Sequence, residues 1–491
     1  MRRALAGIAS IAVVGAALVA TPGQAKSSGN RVLYAWTQLV PGATAFPGAT
    51  VSLARAVLAG QGMACPPVTV VSEQGTSTVT MQARPSPLPG KGNYPITVCD
   101  APLVAAGGKP VRGARIGELE LPLPDPGSAA RIVVIGDTGC RDNKNQKPCK
   151  DADVWPFEEL AREIAKKREP TLVVHLGDYR YRQDEKPCDD AGCAGPAWDN
   201  WESWEKDFFA PAAKLLAAAP WVMVRGNHED CNLAVDSHDG NGRGWFYLLD
   251  ASSPALGSAP PTCSGDPAKP TYTPPYAVDV PVGGGSTLRL IPFDSADADD
   301  ETASPCDPPV DPANPVCTYR GYFATVGQLA AAHAGPSWLV SHRPIWALKK
   351  AKCGKAPEVI NATLQLAAGN QLPGIELAVA GHYHLFESVS WAANAERPAL
   401  VVAGMGGVTI SNGPRPVEKA SLSSPVAGTT ADVDWWAEHG YLLMRRDAAS
   451  QAWKPRLYPA RGHGHHDCTF AGSSFDCDFD AAPVCADDAT P

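Results

Sequence analysis

The sequence predicts a layered α/β protein with a small all-β region ahead of the main unit. Three observations carry this. From Arg131 onward, apolar runs of strand length recur, and each ends in Gly or a polar residue. Segments with helical spacing lie between them. Before Arg131 there are short β-rich runs and turns, with no helical period.

The main-unit strands are expected at Ile132–Ile135, Thr171–Leu176, Trp221–Val224, Leu288–Ile291, Trp338–Ser341, Leu377–Ala380 and Ala399–Ala403. Runs this apolar suit strands buried on both faces, and alternation of strand with helix defines α/β layers. Phe157, Leu160, Ala161 and Ile164 mark one face of a helix. Thr325 with Gln328 has the spacing of a capping box and predicts the start of another.

The flanks read differently. Arg2 and Arg3, the apolar stretch Ala4–Ala20 and the small residues of Gly23-Gln24-Ala25 predict a cleaved signal peptide over 1–25. The alternative is a membrane anchor, but the stretch is Ala/Gly-rich and short for a spanning helix. No later segment is long and apolar enough to span. Residues 26–127 hold the β-rich runs Arg31–Val40, Pro67–Val71 and Thr76–Met81, which suggest a small β-sandwich-like domain. Leu121–Gly127 reads as a stiff linker. The main domain is expected over 128–460, and 461–491 as an irregular tail with His463, His465 and His466. The Pro-rich stretches Ser252–Pro275 and Ala296–Pro315, and Gln183–Asn200, read as loops. A length of 491 residues fits this division, at about 150 residues per domain.

Composition narrows the function. The 42 basic and 51 acidic residues leave a net charge of −9, which argues against a nucleic-acid partner. A hydrophobic content of 44% excludes wholesale disorder. There are 14 cysteines, several closely spaced: Cys140/Cys149, Cys188/Cys193, Cys306/Cys317 and Cys468/Cys477. Cys65 and Cys99 could staple the β-rich region. With no CxxC, these read as disulfides of an oxidising compartment, secreted or periplasmic, with connectivity left open.

Five blocks carry candidate chemistry. They are Gly136-Asp137-Thr138-Gly139, Gly177-Asp178-Tyr179-Arg180-Tyr181, Gly226-Asn227-His228-Glu229, Leu339-Val340-Ser341-His342 and Gly381-His382-Tyr383-His384. Singly, each has a bland reading: a turn, a surface His or a core His. His382 and His384 do better, because alternate residues of an extended segment face the same way. Together the blocks offer carboxylates, a phenol, an amide and imidazoles, all at strand ends, where α/β sheets build sites. That mixed N/O set suits transition metals rather than calcium or magnesium.

The order of blocks resembles the calcineurin-like metallophosphoesterase superfamily. Gly139 and Tyr181 narrow the likeness to its purple acid phosphatase branch, where a Tyr ligand replaces the first block's usual His. The resemblance spans about Arg131 to Tyr458 and departs from the family at Leu339, where Val is usual. It implies a β-sandwich flanked by helices. It also implies two metal ions, the first held by Asp137, Asp178, Tyr181 and His384. The second would be held by Asp178, Asn227, His342 and His382, with Asp178 shared. A phenolate ligand favours Fe(III), and the partner is left as Fe, Zn or Mn.

The implied reaction is in-line attack on phosphorus by a hydroxide on the metal pair, with His228 as the general acid. Asn227 and His228 would also contact substrate. Arg343 could contact phosphate or form a salt bridge, and Glu229 could orient His228 or cap a turn. The leading expectation is a secreted phosphomonoesterase acting on a small phosphorylated substrate. A phosphodiesterase using the same site is the alternative, and a non-catalytic secreted metal-binding protein stands behind it.

Overall fold

The structure, a computed structural model, describes residues 31–479 except 87–93, 106–108, 142–145, 147–148, 150, 182–198, 230, 232–242, 264–270, 308–310, 312, 350–357, 360, 370–371, 392–396, 412–416, 424–429 and 463. The signal-peptide segment, Cys188 and Cys193, Trp198 and His463 lie outside the described residues.

Two large sheets form the centre of an α/β layered fold. The first has 11 strands. Its parallel core is Arg131–Ile135, Leu172–His175 and Trp221–Met223. The second has 8 strands, with Ser286–Phe293, Ser337–Ser341, Leu377–Ala380 and Ala399–Ala403 running parallel.

Side-chain alternation explains why these strands are apolar throughout. Ile132, Val134, Leu172, Val174 and Val222 face Leu288, Leu290, Trp338, Val340, Leu377 and Val379 across the space between the sheets. The alternate residues Val133, Ile135, Val173 and Met223 point outward, onto the layer containing Phe157, Leu160, Ile164, Ala212 and Leu215. Leu339, Leu400 and Val402 likewise meet Val316, Phe323 and Leu364 on the other side. Each face of each sheet is therefore covered, as buried parallel strands require. The helix Phe157–Lys167 buries the four residues its spacing marks.

The β-rich N-terminal region is a sandwich that shares one sheet with the main unit. Val32–Pro41 pairs in parallel with Trp221–Met223 and so extends the 11-stranded sheet. Thr50–Ala59 and Ile96–Pro102 follow on the same edge. A 4-stranded sheet packs on them through Val68, Val70, Ala114 and Ile116. Cys65–Cys99 ties these layers together.

Two local expectations are corrected. The helix expected to open at Thr325 spans Pro315–Ala331, so Thr325 lies inside it. Its cap is Asn314, whose side chain accepts from Val316 N at 2.9 Å, followed by Pro at the first helical position. The described part of the segment after Tyr458 is not irregular. His466–Ala471 and Ser474–Cys477 form a hairpin at the sheet edge. Cys468, Phe470, Phe475 and Cys477 turn inward to the inter-sheet core, an alternation too short to stand out in the sequence.

Disulfides join Cys140–Cys149, Cys306–Cys317 and Cys468–Cys477, three of the close pairs. A further bridge, Cys231–Cys263, was not anticipated by spacing.

Candidate metal centre

Parallel strands of both sheets end beside one another, and the five blocks sit there. Asp137 and Asp178 follow strands of the first sheet, and Asn227 follows its third parallel strand. His342 and the pair His382/His384 follow strands of the second. Asp137, Asp178 and His382 all have left-handed backbone, at φ of 56°, 55° and 71°. Strained non-Gly residues of this kind cluster at functional sites.

Glycine makes the close approach possible. A Cβ at Gly226 would lie 2.0 Å from Asp178 Oδ1. A Cβ at Gly139 would lie 2.4 Å from Arg180 Cα. The backbone that delivers Tyr181 therefore occupies the space a side chain at 139 would need. Glycine at 139 and tyrosine at 181 are sterically linked.

The side chains form two clusters that overlap at Asp178. Ligand-capable atoms of Asp137, Asp178 and His384 lie within 4.8 Å of one another, as do those of Asp178, His342 and His382. Tyr181 joins the first cluster, with its hydroxyl donating to Asp137 Oδ1 at 2.7 Å and 3.1 Å from His384 Nε2. Asn227 joins the second. Its Oδ1 is 2.8 Å from His342 Nε2 and 2.9 Å from His382 Nδ1.

The donor chemistry fits a pair of cations. His342 Nδ1 lies 2.7 Å from the Leu176 carbonyl, which only accepts, so Nδ1 carries a proton. In the neutral ring, Nε2 then turns a lone pair toward Asn227 Oδ1 and toward Asp178 Oδ2, 3.3 Å away. His382 Nε2 lies 2.7 Å from Asp300 Oδ2 and 3.0 Å from Arg343 Nη1, while its Nδ1 is turned to Asn227 Oδ1. Lone pairs that converge in a buried site repel unless a proton or a metal ion lies between them.

The electrostatics agree. Burial drives His384 down to about 3. Burial and the Arg343 charge take His382 to about 4. Both rings are neutral at ordinary pH. Burial would also lower His342, but Asp178 beside it prevails and lifts it to about 9, so a proton stands where a cation would. Burial, with the Asp178 charge adding to it, raises Asp137 to about 7. Burial and Asp137 hold the Tyr181 phenol well above its usual value, so its phenolate needs a strong positive charge.

Glu229, Arg343 and Asp300 support these clusters, and of the three only Asp300 was not singled out by the sequence. Glu229 is fully buried and accepts from the backbone N–H groups of Gly226, Asp178 and Tyr179, each at 3.1 Å. It fixes the loop carrying Asp178 to the loop carrying Asn227. Asp300 backs His382 and also pairs with Arg343 at 2.6 Å. A carboxylate on the far nitrogen of a ligating His fixes its orientation. Arg343 faces this carboxylate at the rim of a cavity of about 440 Å³ bounded by residues 296–302.

His228 is half-buried, with its N–H on Asp178 Oδ1 at 3.0 Å and its ring 4.2 Å from that of Tyr181. Trp201 and Trp204 are buried and pack among Phe208, Phe209 and Leu215.

The sequence profile of the calcineurin-like phosphoesterase family matches residues 130–386, and the chain belongs to that family. No curated protein matches the chain. Among solved structures, a purple acid phosphatase from yellow lupin (Lupinus luteus) seeds is 14% identical. That match covers 86% of this chain and 72% of the lupin chain, with a TM-score of 0.48. A Staphylococcus aureus protein named for 5′-nucleotidase activity is 12% identical, over 69% of this chain and 55% of its own, with a TM-score of 0.32. No helix among the described residues is long and apolar enough to cross a membrane.

Proposed function

We propose that this protein is an exported dinuclear-metal phosphomonoesterase of the purple acid phosphatase type. The observation that carries the reading is the pair of clusters sharing Asp178, one containing a phenol and the other an amide. Asp137, Asp178, Tyr181 and His384 would hold one ion. Asp178, Asn227, His342 and His382 would hold the other. When bound, two such ions supply a hydroxide near neutral pH and positive charge for the phosphoryl oxygens.

The chain's own groups supply the rest. The His228 ring, at the half-buried lip, protonates the leaving oxygen. Asn227 and His228 contact the phosphate, and Glu229 holds the Asp178 and Asn227 loops in register. Arg343 acts from the rim, through or beside Asp300. In this reading residues 128–460 carry the chemistry, 26–127 form a β-rich flank, and the strands His466–Ala471 and Ser474–Cys477 of the C-terminal segment close the sheet edge. The disulfides support export, and the N-terminal sequence of mature protein from its native host checks it.

Tyr181 points to Fe(III) in the first position, beside Fe(II), Zn(II) or Mn(II), because a hard, highly charged ion lowers a phenol from its ordinary value of about 10. Iron-loaded protein is expected to absorb visible light through Tyr181. Tyr181→Phe should lose that band while its circular dichroism stays unchanged; a retained band would remove Tyr181 as a ligand.

The deciding experiment compares initial rates on an aryl phosphate monoester and the matched diester, with the same metals and mildly acidic pH. A strong monoester preference is the expected result. A diester preference would keep the site and replace the substrate class. No turnover of either, with two ions bound, would leave a metal-binding protein without catalysis.

A further inference from the structure

A cationic side chain that no sequence block contains lies beside the first cluster. Arg141 follows the first block, and its guanidinium carbon is 5.2 Å from the centroid of the Tyr181 ring. The same ring is 4.2 Å from that of His228. Tyr181 in turn touches Asp137 and His384. The guanidinium thus borders the first cluster on the ring that His228 also borders.

This position is built into the fold. Arg141 N donates to Gln146 Oε1 at 2.7 Å. Gln146 is fully buried, and its amide donates to Gly407 O at 2.6 Å and Val154 O at 3.0 Å. The Cys140–Cys149 bridge closes the same loop. Thr138, between Asp137 and this loop, is held by Trp155 Nε1 on its carbonyl at 2.8 Å and His175 Nε2 on its hydroxyl at 2.9 Å. Arg141 is therefore anchored at its backbone.

We propose that Arg141 binds the phosphate of the substrate and sets the preference for monoesters over diesters. The proposal rests on the phosphoesterase reading above. A bound monoester is a dianion with three terminal oxygens, whereas a diester is a monoanion with two. Asn227 and the two ions serve both. A planar guanidinium can make a forked contact with the extra charged oxygen that only the monoester has. Charge-assisted hydrogen bonds of this kind contribute about 1.5–3 kcal/mol, which corresponds to roughly a 10–150-fold difference.

The test uses the full metal-loaded chain with Arg141→Gln and Arg141→Lys. For both variants, kcat/KM on the aryl monoester is expected to fall about 10–150-fold, with less than about threefold change on the matched diester. Inorganic phosphate, titrated calorimetrically, should bind correspondingly more weakly, with metal content unchanged. That binding experiment needs no turnover. If the unaltered protein binds phosphate in an Arg141-dependent way yet hydrolyses neither ester, the phosphoesterase reading fails and the phosphate site stands. Equal losses on monoester and diester, or unchanged phosphate affinity in both variants, would overturn the proposal.

Discussion

Asp178→Asn is expected to strip the centre of metal and to lower hydrolysis by more than the roughly 10–100-fold that loss of a supporting contact costs. Asp178 is the one carboxylate common to both clusters. Its Oδ2 faces His342 Nε2 at 3.3 Å, while Oδ1 accepts from His228 N at 3.0 Å. An amide can keep the His228 contact through its oxygen. Its NH₂ group would then stand on the metal side, donating where a lone pair is needed. The substitution is nearly isosteric, so the fold should survive, and an unchanged circular dichroism spectrum of metal-free protein checks that. Elemental analysis of purified protein reads the metals, and initial rates read the chemistry. Retention of two ions with unaltered turnover would remove Asp178 as the shared ligand.

The blocks were legible because each is local: a short apolar strand and, in four of the five, a glycine before the polar residue. Asp137, Asp178, Asn227 and His382 follow that grammar, His384 comes two residues after His382, and His342 ends its strand without a glycine; strand ends gather in an α/β sheet whatever the loop lengths. Asp300 follows no such grammar. It lies in a Pro- and Asp-rich loop, 82 residues from His382 in the chain, and only the packing of that loop turns its carboxylate to the ring. Arg141 is similar. A lone arginine in a polar loop gives no periodic signal, and its place beside Tyr181 comes from the buried Gln146 anchor.

The fold shows the same division. The strands of the main unit were readable from their apolar runs. The join between Val32–Pro41 and Trp221–Met223 was not, because strand partners far apart in sequence leave no mark on either strand. The helix start at Pro315 was missed because a capping spacing at Thr325 and Gln328 matched by residue type alone. Inside a helix, Thr325 instead bonds back to Gly321 O at 3.1 Å.

His228→Ala is expected to keep both metals and to lower kcat by about 10²–10⁴-fold on esters with poor leaving groups. The ring does not belong to either cluster of ligand atoms. The contact with Asp178 is made by the backbone N–H, which alanine retains. The substitution therefore removes only the imidazole at the half-buried lip, beside Tyr181. If that imidazole protonates the departing oxygen, its loss matters in proportion to how much the oxygen needs a proton. Alkyl phosphates should suffer most and aryl phosphates with acidic phenols least, so that log kcat depends more steeply on leaving-group pKa in the variant. An equal loss across the series would instead assign His228 to binding the phosphate. An unchanged rate on alkyl esters would take it out of the mechanism.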